Sequence, residues 1–439
     1  MPRRSVVARV TMPAAIAVLA AGAALGVGAG PAGATPATHL SSFGQNLWGT
    51  LGNGTTTDSN VPVSVNGLTG ITAISAGAYD SLAVVNGNVW AWGSNQFGQL
   101  GIGLTTGPQT CNSGNDPCSN TPVEVEGVGG VGFLSNVVAV AASNAWYFNL
   151  ALLGNGTVVA WGANGFGELG DGTTIDRSTP VVVAGLSNVT AIAAGGYFGL
   201  ALDNTGTVWS WGSNFDGDLG LGNDTGPTTA CGIPCSTNPV VVPGLSNVTA
   251  IAAGEQHGLA LLSNHTVDAW GLNSDGQLGN NSSIGPNLCP NPTNTDGCSW
   301  SPIPVPGLTN VTAIAAGSFH SLALRTNHKV KAWGLNDQGQ IGHGTFLGQI
   351  CGPSHCYKHP VAVNSLTHVS AISAGGYHNL AIYLAGGTMD AAAWGYDDHG
   401  QLGNASNANT DLPVPVSGLS TVGVLLISAG GYHSLVGTT

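Results

Sequence analysis

Histidine is the residue type whose spacing in this 439-residue sequence most directly suggests chemistry. One position of a repeated motif carries histidine in four copies: His257, His320, His378 and His433. The other three copies carry Asp80, Phe148 and Phe198 there. A ring of imidazoles suggests metal binding, but metal–ligand bonds are about 2 Å long and separate repeats hold these positions far apart. We therefore expect no metal, and predict that each histidine bonds the backbone of the adjacent unit.

Paired carboxylates are the second candidate for chemistry. The segment NFDGDLG places Asp216 and Asp218 as in the first half of a calcium loop, but no bidentate acid follows at the expected distance. Asp397 and Asp398 fall in the equivalent turn of another repeat, where a solvated role is expected. No nucleophile elbow, phosphate-binding Gly-Lys-Ser/Thr loop or His-Glu-x-x-His motif occurs. The sequence thus predicts no metal, no cofactor and no specific catalytic residue.

A repeat determines which elements carry these residues. Segments similar to AWGSNQFGQLG occur six times, with tryptophan at Trp92, Trp161, Trp211, Trp270, Trp333 and Trp394. A seventh, degraded copy has Phe43 in that place, and consecutive copies are 49 to 69 residues apart. A period of this length with variable insertions indicates a repeat architecture. A tryptophan followed by glycine in each unit predicts an indole buried between neighbouring sheets, rather than a ring of binding aromatics.

A second motif, ISAGAYDSLAV from Ile74, alternates with the first and also occurs seven times. Each unit contains four short apolar runs separated by Gly, Asn, Asp and Pro, which is typical of a propeller blade. The first unit lacks the second motif before it, and the sequence ends on an unpaired copy, AGGYHSLV. Because a closed ring leaves no exposed sheet edge, we predict an all-β, seven-bladed β-propeller over residues 35–439. Its blades are four-stranded, and the N- and C-terminal segments share one blade.

The eight cysteines fall in four long loops, on units 2, 4, 5 and 6 counted from Phe43. The loops contain Cys111 and Cys118, Cys231 and Cys235, Cys289 and Cys298, and Cys351 and Cys356. Eight cysteines allow 105 pairings. Pairing within each loop is favoured, because every long loop has two cysteines and the plain loops have none. Zinc is the alternative, but it requires loops of different units to converge. Stiffened loops lower the ordering cost of binding, so we expect their shape to matter.

The N-terminus predicts export. Residues 1–34 carry three arginines, an apolar run from about residue 10 to 28, and Ala-Gly-Ala before an expected cleavage after Ala34. This is the pattern of a cleaved secretory signal peptide, with a retained membrane anchor as the alternative. The mature chain would keep five basic residues against 21 acidic ones, a net charge of −16. So few cations argue against nucleic acid as a partner. We expect a secreted, extracellular monomer with no membrane span.

With these two motifs at this period, the chain resembles the regulator-of-chromosome-condensation repeat family, as a secreted bacterial-type member, over about residues 42–436. The resemblance implies a seven-bladed propeller with a shared blade, but it does not determine activity. The family includes an exchange factor for a small GTPase, a plant ultraviolet-B photoreceptor and domains of ubiquitin ligases. A secreted propeller that inhibits β-lactamase is also similar. Export and acidic charge disfavour the nuclear roles, and the few basic residues disfavour the photoreceptor.

The cysteine loops are expected to emerge on one face and to form the binding surface. Five of their residues are predicted to contact a partner: Trp300, Phe346, Leu347, Ile350 and Tyr357. Since none belongs to the repeated core, alanine at Trp300, Phe346 and Tyr357 is expected to leave the thermal midpoint nearly unchanged. The favoured function is a secreted interaction module that binds a protein or a cell-surface polymer. The alternatives are an exported enzyme, for example a polysaccharide-acting one, with its site at the central channel, and a β-lactamase-inhibitor-like propeller.

Overall fold

A computed structural model describes residues 35–114, 116–228, 230–290, 295–419 and 422–439. The predicted signal peptide, residues 1–34, lies outside the described residues. Within the described ranges the chain forms 31 strands and two short 3-10 helices, Asn112–Gly114 and Val128–Gly130. The strands form seven antiparallel sheets whose innermost strands contact one another in circular order. The fold is therefore the predicted all-β, seven-bladed propeller.

The first strands in the chain are β1 (His39–Gly44) and β2 (Ser59–Ser64). Blade 2 contains β3 (Ile71–Ala76), β4 (Asp80–Val85), β5 (Asn88–Ser94), β6 (Gln109–Cys111) and β7 (Asp116–Glu124). Blade 3 contains β8 (Val137–Ala142), β9 (Phe148–Leu153), β10 (Val158–Gly162) and β11 (Arg177–Val182). Blade 4 contains β12 (Val189–Ala194), β13 (Phe198–Asp203), β14 (Val208–Ser213) and β15 (Cys235–Val241).

Blade 5 contains β16 (Val248–Ala253), β17 (His257–Leu262), β18 (Val267–Leu272), β19 (Asn287–Pro290) and β20 (Thr295–Pro304). Blade 6 contains β21 (Val311–Ala316), β22 (His320–Arg325), β23 (Val330–Leu335), β24 (Gln349–Cys351) and β25 (Ser354–Ala362). Blade 7 contains β26 (Val369–Ala374), β27 (His378–Ala385), β28 (Thr388–Gly395) and β29 (Thr410–Pro415). The last strands are β30 (Val424–Ala429) and β31 (His433–Thr438).

Blade 1 joins the two ends of the chain, as predicted. Its strand order is β2-β1-β31-β30, and β1 pairs with β31 in an antiparallel register that sets Ser41 opposite Val436. Phe43 stands where the other blades have tryptophan, and its side chain is fully buried. The outer pair of strands therefore comes from one end of the chain and the inner pair from the other.

Three disulfide loops extend their blades beyond four strands. In blades 2, 5 and 6, the loop forms a hairpin whose first arm (β6, β19 or β24) pairs with the outermost regular strand. In blade 4, the corresponding loop makes one bridge, between Thr228 and Cys235. The extra strands cap an outer sheet edge, so these loops have a defined shape.

The repeated tryptophans are buried between blades, which confirms that prediction. All six indoles have no exposed surface. Each Nε1–H donates to a backbone carbonyl of the preceding blade; for example, Trp270 donates to the Asp218 carbonyl at 2.9 Å and Trp333 donates to the Gln277 carbonyl at 2.8 Å. Each indole thus fills the apolar space between two sheets and satisfies its one donor across that space.

The repeated histidines also connect blades, but not through the group that we predicted. Nε2 of His257 lies 2.9 Å from the Ser321 hydroxyl, and Nε2 of His320 lies 2.7 Å from Oδ1 of Asn379. His378 and His433 make the same contact with the serine of the next blade. The predicted backbone acceptor is therefore wrong: the Gln277 carbonyl accepts from both the Trp333 Nε1–H and the Ser321 hydroxyl, and the His257 imidazole contacts that hydroxyl. The fully buried imidazole pairs with a side chain instead.

The residue types that meet at this contact between neighbouring blades follow a pairing rule. A histidine faces serine or asparagine of the next blade, and Asp80 accepts from Asn149 at 2.7 Å. Blades 3 and 4 carry Phe148 and Phe198 instead, and the next blades then carry Gly199 and Gly258. A Cβ at Gly258 would lie 2.3 Å from the Trp270 ring. A polar residue therefore meets a polar residue, and a phenyl ring is accompanied by glycine.

This rule predicts strong coupling between Phe198 and Gly258. The Phe198→His change alone buries an imidazole without a partner, and Gly258→Ser alone brings Cβ against Trp270. Each is expected to lower the free energy of unfolding by about 1–3 kcal/mol. Because the two together can form the bond seen at His257, we expect a favourable coupling of about 0.5–3 kcal/mol. Urea unfolding of the four chains measures this, and strict additivity would contradict the rule.

The buried histidines also predict a pH dependence. Burial lowers the pKa of His257 to about 3, whereas an unfolded histidine titrates near 6.5. The unfolded chain therefore binds a proton that the folded chain does not, and the stability contributed above pH 6.5 is lost as the pH falls toward 3. His257→Gln removes this loss, so the free energy of unfolding of the variant should fall less steeply between pH 6.5 and 4.5, by about 1.4 kcal/mol per unit. Equal slopes in urea titrations of the two chains would refute the prediction.

Candidate functional site

Strand direction places two sets of loops on the same face. Since strands alternate within each blade, the connection from the first to the second strand and that from the third to the fourth emerge together. The disulfide loops belong to the second set, and the loop containing Tyr79 belongs to the first. We call this side the mouth face. The other connections, including the Val128–Gly130 helix, lie on the opposite face.

A circle of aromatic side chains surrounds the central axis on the mouth face. The residue just before the second strand is aromatic in six of seven blades: Tyr79, Tyr147, Tyr197, Phe319, Tyr377 and Tyr432. All six side chains are half-buried. Blade 5 has Gln256 at this position, and its amide donates to the Asp216 carboxylate at 2.5 Å. We call the six aromatic residues the mouth ring.

The aromatic side chains contact their neighbours along two arcs of the mouth ring. Tyr79 stacks on Tyr147 with centroids 4.8 Å apart, and Trp146 lies 5.0 Å from Tyr197. On the other side, Tyr377 lies 6.2 Å from Phe319 and 6.5 Å from Tyr432. A second layer from the third-to-fourth-strand turns touches the first arc: Trp48, Phe97 and Phe166. Such offset and edge-on contacts hold rings in fixed orientations at the surface.

The glycine of the Trp-Gly motif positions the mouth ring. Gly93 has φ +108°, and a Cβ there would lie 2.5 Å from the Tyr79 carbonyl oxygen. That carbonyl accepts from the backbone N–H of Ser94 at 2.8 Å, and the equivalent bond occurs in the other blades. Only glycine permits this close approach. The motif therefore buries tryptophan on one side and fixes the backbone of a surface aromatic residue on the other.

Three residues of the mouth ring border a small cavity near the axis, which we call the mouth cavity. Its volume is about 170 Å³, and its lining includes Tyr79, Tyr377, Tyr432, Asn144 and Glu255. Below it, each blade contributes one alanine from its innermost strand to the channel: Ala76, Ala142, Ala194, Ala253, Ala316, Ala374 and Ala429. The space there is about 30 Å³. The alanines therefore form a narrow floor, and the cavity opens to the mouth face.

The Glu255 carboxylate lies near the axis. It is hydrogen-bonded to Ser318, and burial raises its pKa. Burial and then the charge of Glu255 raise the pKa of Tyr377, to about 12, and that of Tyr432. The same two causes act on Tyr197. Glu255 of blade 5 lines the same cavity as Tyr432 of blade 1 and Tyr377 of blade 7.

Three blades depart from the repeat with polar residues at the mouth cavity. Where blades 1, 4 and 7 have glycine, blade 5 has Glu255 and blade 6 has Ser318, and blade 3 inserts two residues, including Asn144. The Asn144 side chain is 8% exposed, and its Oδ1 has no hydrogen-bond partner among the described residues. The same side chain lines both the mouth cavity and the channel. The polar groups of the cavity thus come mainly from these departures.

The structure contains the four disulfides within single loops: Cys111–Cys118, Cys231–Cys235, Cys289–Cys298 and Cys351–Cys356. Their Cα–Cα distances are 5.8, 6.3, 5.8 and 5.9 Å. The favoured pairing is therefore confirmed. Within the described ranges, no group of three or more His, Cys, Asp or Glu residues is arranged to hold a metal ion.

The five predicted contact residues divide into two groups. Leu347, Ile350 and Phe346 of blade 6 are exposed, at 62%, 63% and 38%. Trp300 of blade 5 is half-buried, with its Nε1 3.2 Å from Sγ of Cys289. Tyr357 is half-buried against the core between blades 6 and 7. The structure thus brings four of them together on blade 6 and uses Trp300 and Tyr357 partly for internal packing. Their contact with a partner stays a prediction.

The mouth cavity and the mouth ring were not identified from the sequence. The available signal was an aromatic residue in six motif copies at the turn between the first and second strands, just before the position that carries histidine in four copies. Chemically, the site offers aromatic faces, oxygen acceptors and one carboxylate around a small cavity. This arrangement can bind a ligand, whereas most glycoside hydrolases use a second carboxyl group about 5–10 Å from the first. The described lining contains one carboxylate, Glu255.

No helix in the described part of the chain is long and apolar enough to cross a membrane. The chain is 31% identical over 196 residues to the probable E3 ubiquitin-protein ligase HERC6 of Homo sapiens, covering 43% of this chain and 17% of that protein. It is 26% identical over 318 residues to the secretion-regulating guanine nucleotide exchange factor of Mus musculus, covering 66% of this chain and 62% of that protein. The chain thus spans less than two thirds of the length of these curated relatives.

Solved structures show the same fold. Prp20p from Saccharomyces cerevisiae superimposes with a TM-score of 0.75 at 24% identity, over 92% of each chain. The RCC1-like domain, as a family, matches residues 38–436, which is nearly the whole of the described propeller. Together with the seven blades, the shared blade 1 and the two motifs, this match shows that the chain belongs to the RCC1-like domain family.

Proposed function

We propose that this chain is a secreted binding module that holds a protein or a cell-surface polymer on its mouth face. The observation that carries the proposal is the mouth ring, in which six blades each present one half-buried aromatic side chain. The tryptophans and phenylalanines of the core already fill the space between blades. The mouth ring is therefore additional aromatic surface, and aromatic residues concentrate binding energy at interfaces.

The disulfide loops support the same face. They emerge around the mouth ring on blades 2, 4, 5 and 6, and three of them form ordered hairpins. Leu347 and Ile350 extend apolar surface toward the rim on blade 6. A pre-shaped rim loses little conformational entropy on binding, which favours a macromolecular partner that covers both the mouth and its surroundings.

A binding function is favoured over the enzyme alternative. The mouth cavity has a single carboxylate, and the channel below it is narrowed by alanine side chains. Most polysaccharide-hydrolysing enzymes place two carboxyl groups on either side of the scissile bond. The resemblance to a secreted β-lactamase inhibitor suggests one specific class of protein partner. A purified β-lactamase is therefore included among the samples in the experiment below.

Oriented capture tests this proposal. Cysteine is introduced at Val131 on the opposite face, which is 80% exposed, or at Leu347 on the mouth face, and each protein is coupled to a support through it. Envelope extract, culture medium of the producing cell and purified β-lactamase are passed over both supports. We expect retention when Val131→Cys is coupled, because the mouth face is free, and strongly reduced retention when Leu347→Cys is coupled.

The captured material is then treated separately with a protease and with polysaccharide hydrolases to identify its class. Equal retention in both orientations, or retention by the Leu347-coupled protein alone, would contradict binding through the mouth face. Matching thermal midpoints of the two cysteine variants ensure that the comparison concerns orientation rather than folding.

A further inference from the structure

The mouth cavity is lined by groups that attract positive charge. Glu255 contributes a carboxylate, and Ser318, which is hydrogen-bonded to that carboxylate, contributes a hydroxyl. Tyr79, Tyr377 and Tyr432 complete the lining with aromatic side chains. Aromatic faces carry negative charge density, so they add to the attraction of the oxygens for a cation.

The described chain supplies no cation of its own at this place. None of the cavity-lining residues is lysine, arginine or histidine. Arg177 pairs with Asp171 at 2.8 Å in blade 3, and Arg325, Lys329 and Lys331 line a separate groove at the opposite side of blade 6. A carboxylate held among tyrosines is therefore left without an opposite charge, which is costly unless a partner supplies one.

The dimensions restrict the ligand to one small group. Cavities for drug-sized ligands begin at about 300 Å³, and the mouth cavity has about 170 Å³. The alanine floor blocks deeper entry, so a ligand must come from the mouth face. One ammonium or guanidinium group with part of its alkyl stem satisfies these limits.

We propose that the mouth cavity binds a single organic cation, an alkylammonium or guanidinium group, between the tyrosine faces and the Glu255 carboxylate. The inference rests on the proposed function, since a lysine or arginine side chain of the partner is the natural source of such a group on a protein-binding face. A free small ammonium compound shares this chemistry and is separated by the experiment.

Four probes test the proposal on the full mature chain by isothermal titration calorimetry at low ionic strength: the blocked peptides Gly-Lys-Gly, Gly-Arg-Gly and Gly-norleucine-Gly, and choline. We expect the lysine or arginine peptide to bind at least tenfold more tightly than the neutral norleucine peptide. Glu255→Gln keeps the shape of the side chain but removes its charge, and should weaken cation binding at least tenfold. The matched control is Glu124→Gln, because Glu124 lies on the fourth strand of blade 2 and bonds Asn88. This control should bind as the unmodified chain does.

Each result with the four probes either supports or overturns the cation site. Choline binding as tightly as the peptides assigns the site to free small ammonium compounds, and peptide binding alone assigns it to a partner side chain; both support the cation site. Equal affinity for the norleucine peptide, unchanged affinity in Glu255→Gln, or no binding of any cationic probe overturns it. Orientation-dependent capture together with failure of every cationic probe would leave the binding module in place and remove only the cation site.

Discussion

A chain that begins at residue 65 is expected to lose the cooperative unfolding transition of the closed ring. The truncation removes β1 and β2, so blade 1 keeps only its two inner strands and β31 becomes an exposed edge. It also removes Phe43, Leu51 and Leu40, which are 0%, 0% and 3% exposed. Burial of three such side chains stabilises a fold by about 5–9 kcal/mol. This is comparable with the entire stability of a typical domain, about 5–15 kcal/mol.

The matched control removes a similar kind of element without opening the ring. Replacing residues 109–117 by two glycines, with Cys118→Ser, deletes the outer hairpin of blade 2. We expect a loss of about 2–4 kcal/mol, mainly that of the disulfide. Circular dichroism and urea unfolding compare the two proteins. If the truncated chain unfolds as cooperatively and at the same urea concentration as the control, blade 1 does not close the ring.

The second large effect is expected at the mouth ring. Tyr79→Ala, Tyr147→Ala and Tyr377→Ala together remove aromatic surface from three blades, and anchors of this type each contribute about 2 kcal/mol or more to binding. We therefore expect the captured partner to bind at least a hundredfold more weakly. Because the three side chains are half-buried surface groups, the thermal midpoint should fall by only a few degrees.

Two comparators make this prediction specific. Phe346→Ala, Leu347→Ala and Ile350→Ala change the rim of blade 6, and we expect a smaller loss of affinity from this variant. Val131→Ala and Phe133→Ala change exposed apolar residues of the opposite face and should leave affinity unchanged. Surface plasmon resonance gives the dissociation constants. A partner that binds the mouth variant as tightly as the unmodified chain would exclude the mouth ring as the contact surface.

Alanine at Trp300 and Tyr357 is a less specific test of binding than alanine in the mouth ring. Trp300 covers Gly217 of the neighbouring blade, where a Cβ would approach its Cδ1 to 3.0 Å, and Tyr357 packs against the core. Alanine at these positions is therefore expected to lower the thermal midpoint, contrary to the expectation from the sequence. Loss of binding in that variant would mix damage to packing with loss of contact.

The repeat made the fold predictable, because each motif copy specifies the same strands and glycine turns, and the unmatched halves specify closure. The disulfides were predictable because each cysteine pair lies within one loop. The histidine partner was not, since the sequence does not show that Trp333 and the Ser321 hydroxyl both donate to the Gln277 carbonyl. This arrangement is visible only when two blades are placed together.

The candidate site was harder to predict than the fold because it is formed by residues more than 300 positions apart. Tyr79 and Tyr432 become neighbours only when the ring closes, and a single tyrosine in a turn resembles any other repeated residue. Glu255 is visible as a departure from the motif, but its significance depends on the position of its carboxylate near the axis. Because the blades are arranged around one axis, the same turn position in successive blades forms a continuous surface.

Hydroxyl-radical footprinting of the captured complex tests the central claim most directly, because it reports the oxidation of individual tyrosines with and without the partner. We predict strong protection of Tyr79, Tyr147, Tyr377 and Tyr432, and unchanged oxidation of Phe133 on the opposite face. Unchanged oxidation of all four tyrosines, with protection of Phe133, would place the partner on the other side of the propeller and contradict binding at the mouth face.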